Sequence, residues 1–306
     1  MISTMFSEFV EFVQRLYGTT EFIPLHAPRF EGNERNYVLD TLESTFVSSI
    51  GEYVTKFETA IAKYVGCNFA IATVNGTAAL HTALKLGGVR YGDEVITQSL
   101  TFVATCNAIR YCGADPVFLD VERKTLGMSP IGLEEFLVES TELRDDGACW
   151  NKFTGRRIGA CLPVHSFGHP ARIDEIRKLC RKFNLVLIED AAESLGSYYK
   201  NCHTGLFGEM GTVSFNGNKI ITTGGGGIII TDDQEIARRA KHITATAKIP
   251  HPWLFLHDEV GYNYRMPNIN AALGCAQLEV IDDYIKRKRE LANQYSSWFE
   301  ERGYEL

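Results

Sequence analysis

From about residue 56 onward, helix-like and strand-like segments alternate, and that alternation predicts an α/β fold with a mostly parallel sheet flanked by helices. Two further observations support it. The strand-like runs, such as FAIATV, LVLIED and GIIIT, are short and apolar or β-branched throughout, which suits strands buried on both faces. The 306 residues are 45% apolar and 23% charged, the profile of a globular chain with a large core. That length fits one big α/β domain with an appendage, or two medium domains.

Taken in order, the elements begin with an amphipathic N-terminal helix that places Phe6, Phe9, Val10, Val13, Leu16 and Tyr17 at helical spacing. Glu8 and Glu11 interrupt its apolar face and no basic stretch precedes it, so a signal peptide is not predicted. Phe57, Ala60, Ile61, Tyr64 and Val65 mark the buried face of a second helix. A strand over 69–74 runs into Asn75-Gly76-Thr77, and the helical run AALHTALKL follows at once. EVITQ, PVFLD, GACLPV, LVLIED and GIIIT supply further strands, separated by helical stretches at 101–111, 171–183 and 233–244. Residues 139–158 are polar, Gly-containing and aperiodic, which predicts a loop or insertion. From 277 onward the pattern is amphipathic helix, with Lys286-Arg287-Lys288-Arg289 read as a solvated face rather than a nucleic-acid patch.

A formal net charge of −7 argues against nucleic acid or anionic membrane as a partner of the bulk surface, while leaving room for a local basic pocket. No apolar run reaches the roughly 18 residues of a membrane helix. The eight cysteines form no C-x-x-C pair and sit mostly in apolar segments, so reduced, buried thiols in a cytoplasmic protein are expected.

Three separated segments follow predicted strands, where an open α/β sheet places its ligands. Asn75-Gly76-Thr77 opens a helix, so its free amides and the Thr77 hydroxyl suit a phosphate; a plain N-cap by Asn75 or Thr77 is the alternative. Asp190 ends LVLIED, and a carboxylate at the tip of a buried strand calls for a cation or for donors, or else caps the next turn. Lys219 closes Ser214-Phe215-Asn216-Gly217-Asn218-Lys219, ahead of Thr222-Thr223 and four glycines. The glycines lack the G-x-G-x-x-G and G-K-[ST] patterns of dinucleotide and P-loop sites. An anion site, a carboxylate and a lysine match the needs of pyridoxal 5'-phosphate (PLP): phosphate, pyridine nitrogen and aldehyde. Phe102 is an aromatic available to stack on the ring. His165 and His169 stand four apart, but Phe167-Gly168 and Pro170 oppose a helix, so no metal pair is expected; His165 lines a substrate pocket or makes a structural hydrogen bond.

NGTAALHTAL (75–84), TFVATCNAIRYCGADPVFLDV (101–121), PVHSFGHP (163–170), VLIEDAAESLGSYY (186–199), GTVSFNGNK (211–219) and GYNYRM (261–266) together make the chain resemble the DegT/StrS-type sugar aminotransferases. The resemblance runs from about Phe22 to the C-terminus and implies the type I PLP-dependent transferase fold, with a seven-stranded-type sheet. It implies an N-terminal helical arm over 1–30 and a large PLP-binding domain over 31–245. A dimer-contact loop and the start of a small domain would then occupy 246–306. Members of the family continue for several tens of residues beyond Glu305-Leu306, so an incomplete small domain is expected. The implied roles are PLP attachment and proton transfer for Lys219, pairing with the pyridine nitrogen for Asp190, and phosphate binding for Gly76, Thr77 and Ser214. Phe102 would lie over the ring. Glu193 stands where the family usually has a Gln near the ring hydroxyl. Asn263 would reach a neighbouring subunit's phosphate, giving a homodimer with shared active sites.

FVSSIGEYVTKFE, NGNKIITTGGGG and KIPHPW look like the branch that aminates the 4-keto group of nucleotide-linked 6-deoxy sugars for legionaminic-acid, bacillosamine or perosamine-type glycans, with glutamate as the usual donor. A PLP-dependent dehydratase on the same fold has histidine in place of the lysine, and Lys219 opposes that reading. A PLP- or sugar-binding homologue without turnover is a further alternative, as is a nicotinamide-dependent oxidoreductase, which the missing glycine fingerprint disfavours.

Overall fold

A computed structural model describes residues 2–304; Met1 and Glu305-Leu306 lie outside the described residues. Seven strands form the central sheet: β1 (Phe69–Thr73), β2 (Glu94–Gln98), β3 (Asp115–Leu119), β4 (Ile158–Cys161), β5 (Ile188–Asp190), β6 (Met210–Ser214) and β7 (Gly227–Thr231). Their spatial order is β3-β2-β4-β5-β6-β7-β1. The β4–β5 join is made by the parallel bridges Cys161–Leu187 and Val164–Asp190. Pairing is parallel except where β7 runs antiparallel to both β6 and β1. The mostly parallel pairing is what the alternation of segments predicts, and the seven strands are what the family resemblance implies.

Ten helices accompany it among the described residues: α1 (Ile2–Tyr17), α2 (Glu34–Glu43), α3 (Glu52–Val65), α4 (Gly76–Leu86), α5 (Val103–Tyr111), α6 (Pro130–Ser140), α7 (Ile173–Lys182), α8 (Gln234–Thr244), α9 (Asn268–Glu279) and α10 (Ile281–Glu300). Alternation along β1 and β7 assigns the two faces of the sheet. Ile71 and Ile229 pack with Leu80 and Leu84 of α4, Ile109 of α5 and Ala240 of α8. Ala70, Ala72, Ile228 and Ile230 point the other way, onto Phe57 and Ile61 of α3 and Ala271 and Ala272 of α9. Both faces are covered, which is why these strands read as continuous apolar runs. A third cluster packs Leu133 and Leu137 of α6 and Ile176 of α7 against Ile96, Ile158 and Leu187.

Two details depart from the sequence reading. Residues 139–158 are ordered as the end of α6 and an antiparallel hairpin, Thr141–Leu143 with Cys149–Asn151. Its turn is held by Asp146, which accepts from the Ala148 amide at 3.0 Å, so local side-chain chemistry replaces the missing periodicity. In α1 the packed face contains Phe9 and Phe12, against Tyr295 and Trp298 of α10, while Phe6 and Val10 remain exposed. The 286–289 run is exposed along α10, the solvated face that the sequence predicts, with Arg287 bonded to Glu31 and Lys288 to His26.

All eight cysteines are free thiols, four of them buried. No helix of the described residues is long and apolar enough to cross a membrane. Phe57 is fully buried and meets Phe215, the residue after β6, at 5.0 Å in an edge-to-face contact. Phe57→Ala should therefore cost about 3–5 kcal/mol of stability. Equilibrium denaturation of the variant beside the parent measures it, and a loss below about 1 kcal/mol would mean that this core refills easily.

Candidate active site

The register of the sheet brings the separated segments to one edge. Thr73 at the end of β1 pairs with Gly227, Gly227 pairs with Ser214 at the end of β6, and Thr212 pairs with Asp190 at the end of β5. The carboxyl ends of β1, β6 and β5 thus lie at one edge, with the start of β7 between β1 and β6, where α/β sheets bind ligands.

α4 starts at this edge. Asn75 is its N-cap, and the Asn75 Oδ1 accepts from the Ala78 amide at 2.8 Å. The Ala79 amide goes to the Asn75 carbonyl. Of the four first-turn amides that a helix leaves without partners, those of Gly76 and Thr77 remain for a ligand. The capping and phosphate readings are therefore compatible. Ser214 stands against this helix start, since a Cβ on Gly76 would lie 3.0 Å from the Ser214 Cβ and 3.2 Å from its Oγ. The pair makes a narrow cradle of amides and a hydroxyl, one that a side chain at 76 would fill.

Asp190 is buried, 4% exposed, at the tip of β5. Its Oδ2 accepts from Thr105 Oγ1 at 2.7 Å and its Oδ1 from the Ala192 amide at 3.1 Å. Burial pushes its pKa above the ordinary carboxylate range, opposed by those two hydrogen bonds and by the nearby positive charge of Lys219. Each oxygen keeps acceptor capacity, so the site suits a cationic N–H such as a protonated pyridine nitrogen. Thr105 is itself held at 2.7 Å from Thr101.

Lys219 is half-buried, and its Nζ lies 2.6 Å from Glu193 Oε1. Glu193 follows Asp190 by three residues, so this ion pair draws the lysine loop to the tip of β5. Phe102 caps the start of α5, with its ring 79% exposed. Cradle, buried carboxylate and lysine fit the phosphate, ring nitrogen and aldehyde of PLP respectively.

His165 is a different case. Its ring is fully buried, with Nε2 2.9 Å from Glu189 Oε2 and Nδ1 accepting from the Ala171 amide at 3.1 Å. Both nitrogens are occupied, so His165 is structural and does not line a substrate pocket. Glu189 also accepts from the amides of Gly205, Phe207 and Gly208.

Tyr264–Met266 runs along the free edge of β1, with Arg265 bridged to Thr73. Tyr262 and Tyr264 stack at 5.0 Å, and His81 of α4 meets Tyr262 edge-on at 4.9 Å while its Nδ1 lies 3.3 Å from the Tyr264 hydroxyl. Burial lowers the His81 pKa to about 4, so its ring is neutral. Asn263, between these tyrosines, is exposed and its side chain makes no hydrogen bond to any described residue. Sequence reasoning missed Thr105, Glu189 and His81, whose contacts span 85, 24 and 183 positions.

The model of the DegT/DnrJ/EryC1/StrS aminotransferase family matches residues 28–306. The chain belongs to this family. Among curated DegT/DnrJ/EryC1/StrS relatives, the GDP-perosamine synthase of Escherichia coli O157:H7 is 42% identical over 275 residues, which is 90% of this chain and 71% of that protein. The GDP-perosamine synthase of Caulobacter vibrioides is 39% identical, over 89% of this chain and 69% of that protein. Among solved structures, Helicobacter pylori PseC, an aminotransferase involved in the biosynthesis of pseudoaminic acid, superposes with a TM-score of 0.80 at 25% identity. That likeness spans 91% of this chain and 71% of PseC. A GDP-4-keto-6-deoxymannose-3-dehydratase gives 0.78 at 27% identity, over 89% of this chain and 72% of that one.

With Asp190 raised by burial, protonation favours the fold, and the cofactor-free protein loses that contribution as pH rises through the raised pKa. Asp190→Asn removes the cost of the buried charge. It should raise the melting temperature of the cofactor-free protein at pH 7, with the gain shrinking toward pH 4. Thermal melts across that range test the sign, and a gain that does not vary with pH would contradict it.

Proposed function

We propose that the chain is a PLP-dependent aminotransferase that moves an amino group from glutamate onto the 4-keto group of a nucleotide-linked 6-deoxy-hexose, in the cytoplasm, for a surface glycan. The observation that carries this reading is Lys219, drawn by Glu193 to the sheet edge that also holds Asp190, Ser214 and the start of α4. The names of the perosamine synthases support the substrate class, and PseC supports amino transfer. The neighbouring dehydratase offers a second reading; Lys219 opposes it, since the family resemblance implies histidine in place of the lysine in such dehydratases.

When bound, PLP supplies an electron sink for the carbon that gains or loses nitrogen. The remaining roles fall to the chain. Gly76 and Thr77 amides with the Ser214 hydroxyl hold the phosphate and fix the depth of the ring. Asp190 keeps a proton on the ring nitrogen, with Thr105 fixing the orientation of its carboxylate. Phe102 would cover a ring face, and Glu193 would stand near the ring hydroxyl. Lys219 would hold the cofactor through its amine and would move a proton to or from the substrate carbon. We assign residues 1–30 as an arm, 31–245 as the large domain, and 246–306 as the dimer-contact loop and the start of the small domain. In that dimer, Asn263 donates to the phosphate in the neighbouring subunit.

Lys219→Ala should abolish both transamination and the borohydride-reducible link to PLP while leaving the fold intact. Reduction followed by peptide mapping checks it, and a label on another lysine would refute the assignment. Glutamate should bleach the bound-cofactor absorbance of the parent; without bleaching, the chain is a binding protein.

Sharing of sites has its own test. Lys219→Ala chains mixed with Asn263→Ala chains should regain activity in hybrid dimers, because one of the two sites then carries neither defect. With subunit exchange confirmed by mass and Asn263→Ala inactive alone, the absence of any recovery would exclude the shared site.

A further inference from the structure

We propose that the cleft between segment 23–29 and helix α10 seats the diphosphate of the nucleotide-linked substrate, with Lys288 and His26 as its anion-binding pair. This rests on the aminotransferase reading and adds the place where the charged half of that substrate is held.

The cleft has a volume of about 390 Å³ and shares Lys219 with the candidate active site. That size falls in the range of small-molecule sites. Its walls carry five basic side chains, His26, Arg29, Lys219, Arg287 and Lys288, and no carboxylate. On a chain of net charge −7, a cleft lined by basic groups with no carboxylate on its walls favours anions to the extent that one of those charges is unmatched.

Three of the five are paired with carboxylates, and Lys288 is not. Arg29 and Arg287 both bond to Glu31, at 3.0 and 2.9 Å, and Arg287 also bonds to Asp283 at 2.5 Å. Lys219 pairs with Glu193. Lys288 has no carboxylate within ion-pair distance among the described residues; its Nζ lies 3.1 Å from His26 Nδ1. An ammonium facing an imidazole has gained no opposite charge, and partial burial has cost it hydration, which lowers its pKa. The His26 imidazole is likewise lowered, by burial first and by the Lys288 charge second. An anion entering between them relieves both.

The wall bearing His26 is fixed in advance. The Arg29 carbonyl accepts from Gln277 Nε2 at 2.8 Å and from the Tyr284 hydroxyl at 3.1 Å, tying segment 23–29 to α9 and α10. Such preorganisation lowers the ordering cost of binding. Ile23, Ile220 and Leu291 give the cleft an apolar side for the uncharged parts of a nucleotide sugar.

Calorimetry on the PLP-loaded protein, with GDP, inorganic pyrophosphate and guanosine as probes, tests the assignment. GDP and pyrophosphate should bind, and guanosine at least about tenfold more weakly. Lys288→Ala and Lys288→Glu should lower both anion affinities about tenfold or more, near 1.4 kcal/mol. Glutamate should bleach the cofactor equally in parent and variants. Parent-like GDP affinity in Lys288→Glu would overturn the proposal. So would pyrophosphate binding without GDP binding, which marks a free-anion site, or the binding of neither. Anion binding lost at Lys288 in a protein that glutamate fails to bleach would support the cleft and refute amino transfer.

Discussion

Gly227 is where the two halves of the site come within touching distance. A Cβ there would lie 2.5 Å from the Asn75 carbonyl carbon and 2.6 Å from the Gly76 nitrogen, closer than side-chain atoms approach backbone. β7 therefore meets the first turn of α4 backbone to backbone, and only glycine permits it. β7 is also the strand between β1 and β6, so the same approach sets Ser214 against Gly76. Parallel pairing of β6 with β5 then places Asp190 at the adjacent strand end. A bulkier residue at 227 would part the helix start from the sheet, and the cradle with it.

Two consecutive carboxylates on β5 show how environment divides labour. Glu189 is fully buried, accepts from three backbone amides and faces His165, so its charge is matched within the protein. Asp190 points to the opposite face of the sheet, as strand alternation requires, with one hydroxyl and one amide as donors. Burial dominates there and its pKa is raised. The first carboxylate fastens the 205–208 turn to the sheet, while the second retains unmet demand for a positive partner. Neighbouring acids in contrasting surroundings are how proteins separate a structural acid from a functional one.

Much of this was legible in the sequence because its causes are local. Strand runs such as GIIIT are apolar throughout because both sheet faces are covered, and Asn75-Gly76-Thr77 announces a helix start by its own chemistry. Lys219 and Asp190 stood out as charges in apolar surroundings. What stayed hidden depends on partners distant in the chain. Thr105 looks like any helix threonine until β5 brings Asp190 to it, and His165 looks available until Glu189 and the Ala171 amide take both its nitrogens. The hairpin within 139–158 failed for another reason. Its strands are three residues each and their stability comes from tertiary packing and a side-chain turn, neither of which leaves a period-2 signal.

The fold itself does not select the reaction. Scaffolds with nearly equal superposition scores include an aminotransferase and a dehydratase, so backbone shape leaves the chemistry open. The difference has to lie in the side chains, and the proposed roles put it first at position 219. A lysine there offers an amine that can both bond to a carbonyl and carry a proton, two tasks that transamination needs from one group. The 2.6 Å contact with Glu193 fixes where that amine sits, since a four-carbon stem would otherwise sample many positions. With a different residue at 219 the cradle, the Asp190 environment and the sheet would all remain, and the amine that the proposed mechanism requires would be gone.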